Sequence, residues 1–214
     1  REGNSDRRAP SAVKNYAKAN PHRMGKWSKD SKTDVACMTS GDFYGSEVSK
    51  TFDEANDLKI SFFDKNGAET VLKASTKVLA GEIIDATALS AKALQEFYAQ
   101  SIERAKKENV LLSLHLKATM MKNSDPIMFG FAVKVYFKDL IAKHSALFEQ
   151  IGVNFNNGLG DLYAKLETLD AAKKAEIEAD IAAVYAKQPR LAMVNSAKGI
   201  TNLHVPSDVI IDAS

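Results

Sequence analysis

Four residues have types and positions from which chemistry could be built: Arg1 and Arg7 in "REGNSDRRAP", Lys117 in "HLKATMMKNSDP" and Asp212 in "HVPSDVIIDAS". A guanidinium is a planar fork of donors matched to carboxylate or phosphate, so Arg1 and Arg7 around a turn of Asn4, Ser5 and Asp6 suit a multiply charged small anion. The same arginines on a frayed terminus would simply be solvated. Lys117 closes "VLLSLHLKA", which reads as a buried strand, and α/β sheets commonly bind ligands at the carboxyl ends of strands. A lysine partly desolvated there can release its proton near neutrality and move protons; one that reaches water at a strand end does not. His115 should share a sheet face with Lys117, and a satisfied core histidine is the competing reading. Asp208 and Asp212 flank an apolar run, which places Asp212 at a strand end, where a carboxylate can meet a hard cation such as Mg²⁺ or can merely form a turn. Magnesium takes one or two carboxylates and fills the rest of its octahedron with water and substrate oxygens, so Asp212 needs partners.

"NNGLGDLY" offers Gly158 and Gly160 in a G-x-G spacing, but Tyr163 stands where the third glycine of a dinucleotide fingerprint belongs. A helix, not a strand, is expected before it. The segment therefore reads as the C-terminal turn of a helix.

These residues need elements to position them. The first fifty or so are rich in turn formers with short apolar runs, which predicts loops around one or two short strands. "KISFFDKNGAETVLKAS" alternates Ile60 and Phe62 and turns at Asn66-Gly67, the signature of a β-hairpin. Leu94, Phe97, Tyr98, Ile102 and Ala105 recur at helical spacing behind Ser90 as N-cap, with Glu103 four residues before Lys107. Asp125-Pro126 should start a long buried helix from Phe129 through Phe148 that Gly152 stops. Another helix carries Ile177, Ile181, Val184 and Tyr185 and ends before Pro189; "LAMVN" and "VIIDA" read as two more strands. The order predicts an α/β fold, a mixed sheet with flanking helices, in a single domain over 1–214. Within it, 1–55 is a loop-rich arm with short strands and 56–214 the α/β core.

The composition limits the partners. Of the 214 residues, 45% are hydrophobic and 26% charged, a globular balance. Lys and Arg number 29 against 27 Asp and Glu, so the formal charge of +2 gives no basic excess for a nucleic acid, and any bound anion must be met by a local cluster. No apolar run has the length of a signal segment or membrane span. Cys37 stands alone, which fits a reducing, cytoplasmic setting.

Taken together, "REGNSDRRAP", "GDFYGSE", "AGEIID", "HLKATMMK", "SDPIMFG", "NNGLGDLY", "EIEADI", "LAMVNS" and "KGITNLHVPSDVIIDAS" resemble the monomeric type of NADP-dependent isocitrate dehydrogenase, in the same order and at matching spacing from first residue to last. The resemblance implies an internal fragment of a longer chain, part of the smaller domain of a two-domain enzyme, helping to form the substrate cleft against a larger nucleotide-binding domain. It implies oxidative decarboxylation of isocitrate to 2-oxoglutarate and CO₂ with NADP and Mg²⁺ or Mn²⁺, in the tricarboxylic acid cycle and glyoxylate bypass, by a cytoplasmic monomer. Residue by residue, Arg1 and Arg7 fall on isocitrate-binding arginines, Lys117 on the active-site lysine and Asp212 on one metal-ligand aspartate. The resemblance implies further substrate contacts upstream of Arg1, and the catalytic tyrosine, the remaining metal carboxylates and the NADP-phosphate contacts downstream of Ser214, so the chain by itself is expected to be inactive. A stand-alone polycarboxylate-binding module and a purely structural or interaction domain are the competing expectations.

Overall fold

The computed structural model describes residues 10–21, 26–116 and 123–205. Two compact units divide the chain, Arg1–Thr33 and Asp34–Ser214. In the first lies helix α1 (Ser11–Ala19), started by the Lys14 N–H donating to the Pro10 carbonyl (3.1 Å) and closed by Asn20, whose side-chain amide donates to the Tyr16 carbonyl (3.1 Å). It buries no residue and lies in a stretch expected to be loops around one or two short strands. Alanine and lysine propensity carries it.

The α/β expectation holds for the second unit, with its strands in small antiparallel pairs. After the one-turn helix α2 (Phe43–Ser46), β1 (Val48–Thr51) pairs with β4 (Ile83–Ala86). The expected hairpin is β2 (Asn56–Phe63) with β3 (Glu69–Val78); at its turn Asp64 Oδ1 accepts from the Asn66 (2.8 Å) and Ala68 (2.9 Å) N–H groups. Opposite charges sit across the two strands, Lys59 on Glu69 and Lys77 on Asp57, in exposed pairs of small net worth. β5 (Met193–Asn195) pairs with β6 (Ile200–Thr201). The expected strand 110–118 is reduced, among the described residues, to a parallel bridge of Leu112 with Leu191. The ladder stops there because the next inward carbonyl, that of Leu114, accepts from the Asn202 side chain instead of from a neighbouring strand. "VIIDA" lies outside the described residues.

Helices form the core. α3 (Ala91–Glu108) is capped by Ser90, whose hydroxyl accepts from the Ala93 N–H (3.2 Å), and ends at Asn109 in the left-handed conformation. The Glu103–Lys107 spacing yields to Arg104, which bonds Glu108 at 3.1 Å and Asp34 at 2.7 Å. The long helix expected through Phe148 is two: α4 (Ser124–Tyr136) and α5 (Lys138–Gln150), broken at Phe137 (φ −99°, ψ 25°) and bent again at His144 (φ −114°, ψ 18°). The break lets Tyr136 and Phe137 both turn inward; each is fully buried, and the Tyr136 hydroxyl donates to the Pro189 carbonyl (2.8 Å). α6 (Leu159–Leu166) and α7 (Ala171–Lys187) add Leu159, Leu162, Leu166, Ile177 and Ile181 to the same cluster.

The "NNGLGDLY" segment is a 3₁₀ turn (Phe155–Asn157) followed by the N-terminus of α6, correcting its reading as a helix C-terminal turn. That N-terminus is already occupied: the Leu159 N–H donates to the Leu203 carbonyl (3.0 Å) and the Gly160 N–H to the His204 carbonyl (2.8 Å), so protein carbonyls stand where a phosphate would bind. Gly158 (φ +82°) makes the approach possible, since a Cβ there would lie 2.2 Å from the His204 carbonyl oxygen. His204 itself stacks on Tyr163, ring centroids 5.5 Å apart. Gly158→Ala is therefore expected to cost about 3 kcal/mol or more in urea unfolding, backbone strain plus displacement of the Leu203–His204 backbone. Gly152→Ala, with φ +69° but open space around it, should cost only about 1–2 kcal/mol. Equal losses would show that the close approach is not what Gly158 serves.

Candidate functional site

Arg1, Arg7, Lys117 and Asp212 all lie outside the described residues. What the structure gives is the chain that leads to two of them. Leu116 is the last described residue before Lys117, and Val205 the last before Asp212.

Segments 112–116 and 200–205 meet through residues 190–192. The Leu112 N–H donates to the Arg190 carbonyl (2.8 Å) and the Ala192 N–H to the Leu112 carbonyl (2.8 Å), the pair of bonds that makes the Leu112–Leu191 bridge. The Asn202 N–H then donates to the Ala192 carbonyl (2.9 Å), and its side-chain Nδ2 donates to the Leu114 carbonyl. Segments 112–116 and 200–205 are thus joined twice, through 190–192 and directly through one side chain. Asn202 is 6% exposed, and its Oδ1 is buried without a hydrogen-bond partner among the described residues. Sequence reasoning passed over Asn202 as a loop residue between short strands. A signal was available: an amide between Ile200 and Leu203 has to find partners if that stretch is buried.

From Leu111 to Leu116 exposure alternates, with Leu112, Leu114 and Leu116 turned inward and Ser113 and His115 outward. The Ser113 hydroxyl and His115 Nε2 form a hydrogen bond at 2.5 Å on that outer face, so His115 is not a core histidine. A groove of about 450 Å³ runs beside this segment, lined by Phe97, Tyr98, Leu114, His115 and Leu203 among others. Its walls are mostly apolar. Burial pushes the Tyr98 phenol up to about 12, with the Asp125 charge adding, so it remains protonated near neutrality.

Among the described residues one group could be weighed as a metal site: His144, Glu176 and Asp180, with ligand atoms within 4.8 Å of one another. The charges there are already met. Lys143 Nζ lies 2.7 Å from Asp180 and 3.6 Å from Glu176, Lys173 Nζ is 2.8 Å from Glu176, and His144 Nε2 is 2.6 Å from Asp180. Mg²⁺ asks for an octahedron of oxygens, and this set offers an imidazole and two carboxylates already bridged by ammonium groups, so it does not fit such an ion. It is an ion-pair network bracing bent α5 against α7.

The sequence model of the family described as Monomeric isocitrate dehydrogenase matches residues 1–214. Across all 214 residues the chain is 64% identical to NADP isocitrate dehydrogenase 2 of Colwellia maris, 62% to the NADP isocitrate dehydrogenase of Azotobacter vinelandii and 51% to NADP isocitrate dehydrogenase 2 of Mycobacterium tuberculosis. In each case 100% of the chain is covered and it spans 29% of the relative's length.

The α5–α7 network generates a pH dependence. Lys143 first, then His144, hold the Asp180 carboxyl below the usual carboxylate range. A depressed folded-state pKa contributes stability that is present above the unfolded value of about 3.9 and is lost as pH falls through the folded one. Asp180→Asn should therefore lower the melting temperature at pH 6 and narrow the gap to wild type as pH drops below about 4. A variant whose deficit stays constant across that range would show that the carboxylate is not what the network depends on.

Proposed function

The chain belongs to the monomeric isocitrate dehydrogenase family, and from that premise we propose that it is a segment of an enzyme converting isocitrate to 2-oxoglutarate and CO₂, with NADP as hydride acceptor. The observation that carries this reading is the match over the whole chain at 51–64% identity to proteins named for that activity. The remaining length of the polypeptide, by comparison with those relatives, is the partner that completes the site.

In this reading Arg1 and Arg7 clamp carboxylates of isocitrate through bidentate pairs, orienting the C2 hydrogen towards the nicotinamide and turning a bimolecular transfer into a positioned one. Lys117 accepts or relays the proton of the C2 hydroxyl, which requires an amine whose pKa is lowered by partial desolvation. Asp212 is one carboxylate ligand of Mg²⁺ or Mn²⁺, with its partner ligands supplied from outside the described residues. A cytoplasmic location belongs to the same proposal. No helix among the described residues is long and apolar enough to cross a membrane.

The complete polypeptide should reduce NADP only when isocitrate and a divalent cation are both present, while the 214-residue chain alone should give no isocitrate-dependent reduction. Turnover by the mass-verified short chain would contradict the division of the site between segments. In the complete enzyme Lys117→Met should lower kcat by about a hundredfold or more. Lys117→Arg should fail as well, since a guanidinium keeps the charge but does not release a proton near neutrality. Full activity in the arginine variant would reduce Lys117 to an electrostatic role.

A further inference from the structure

We propose that one face of the β-ribbon formed by residues 48–86 is a docking surface, and that its occupant is an apolar surface of the same polypeptide contributed from outside the 214 residues. The proposal rests on the ribbon and on family membership, and is independent of the catalytic reading above.

The β1–β4 and β2–β3 pairs form one continuous two-stranded ribbon. Between them the Phe52 N–H donates to the Glu82 carbonyl (3.0 Å) and the Gly81 N–H to the Phe52 carbonyl (2.7 Å). The two faces of β2 and β3 differ in chemistry. On one, Lys59 Nζ and Ser61 Oγ both donate to Glu69 (2.6 Å each), and Ser75 Oγ and Lys77 Nζ both donate to Asp57 (2.7 Å each), so the polar groups are matched there. Side chains alternate along a strand, which puts Leu58, Ile60 and Phe62 on the opposite face. Across from them on β3 stand Thr76, Lys73 and Thr70, of which the lysine is long enough to keep its ammonium at the rim.

Alternation of this kind is the pattern of an antiparallel sheet with one face packed and one in water. Here the apolar face is not packed. Phe62 is 56% exposed and Ile60 51%, and among the described residues no side chain from 48 to 86 belongs to the hydrophobic core or packs against it. A two-stranded ribbon with nothing on its apolar face is marginal in water, and a contiguous apolar strip marks a contact surface where scattered single residues do not. The chain spans 29% of the length of its relatives, so most of the polypeptide is available to cover the strip. A covering surface in the same polypeptide is present at high effective concentration, and the family is described as monomeric, which favours it over a second copy.

The test uses the complete polypeptide, with one thiol introduced on each face as Phe62→Cys or Lys77→Cys. Each variant is labelled with a maleimide, and the peptide concerned is read by mass, so that exposed Cys37 does not interfere. Phe62→Cys should label at least about tenfold more slowly than Lys77→Cys, at every protein concentration. Should Phe62→Cys disturb folding, the wild type answers the same question: paired amides of β2 and β3 should exchange at least about a hundredfold more slowly than unstructured peptide, where an uncovered ribbon would stay within about tenfold of it. Equal labelling of the two thiols, or wild-type ribbon amides that exchange almost as fast as unstructured peptide, would overturn the proposal. Protection that is lost on dilution as the mass from light scattering halves would overturn it too, by identifying a second copy as the occupant.

Discussion

Two peptide carbonyls, those of Leu203 and His204, sit on the N-terminal N–H groups of α6, and the arrangement of the second unit follows from that contact. A helix start leaves donors that something must satisfy. Here the chain's own backbone does so, at a range that only a glycine at position 158 permits. Segment 200–205 is thereby nailed to a helix whose Leu159, Leu162 and Leu166 are fully buried. Through Asn202 and Ala192 the same segment holds 112–116. Rigidity passes from the helical core to chain segments that have almost no sheet of their own.

The three two-stranded pairs and one parallel bridge among the described residues would be a weak frame in isolation, since a lone hairpin is marginal in water. The helices compensate. α4 and α5 split at Phe137, so that consecutive aromatic residues face inward, and α5 bends again where buried His144 meets Asp180 across α7. That bend leaves a charged seam instead of an apolar one, and Lys143 and Lys173 neutralise its two carboxylates. What looks like a ligand set for a cation is in this way consumed by structure.

Local chemistry was the legible part of the sequence. Asn66-Gly67, the Ser90 cap and the Ile177–Ile181–Val184 spacing each specify a hairpin or helix through neighbours within a few residues, and each is found. Features decided at long range were not legible. Gly158 and Gly160 are there to admit His204, some forty-five residues away, and nothing local distinguishes that from a turn. The break at Phe137 answers to packing, and the strand expected at 110–118 yields to a side-chain bond from Asn202. α1, which buries nothing, has no counterpart among the expected elements. For the site, residue types alone left every candidate with a bland alternative; the assignment of Arg1, Arg7, Lys117 and Asp212 came from resemblance over the whole chain.

The crossing of 112–116, 190–192 and 200–205 is part of the core and not a set of loops laid over it. Native-state amide hydrogen exchange measures this directly. The Leu112, Ala192, Asn202, Leu159 and Gly160 amides, all of which donate to main-chain carbonyls, should open together, with protection within about tenfold of that in α4 and α7. Rapid exchange at Ala192 and Asn202 while α4 and α7 stay protected would contradict the account.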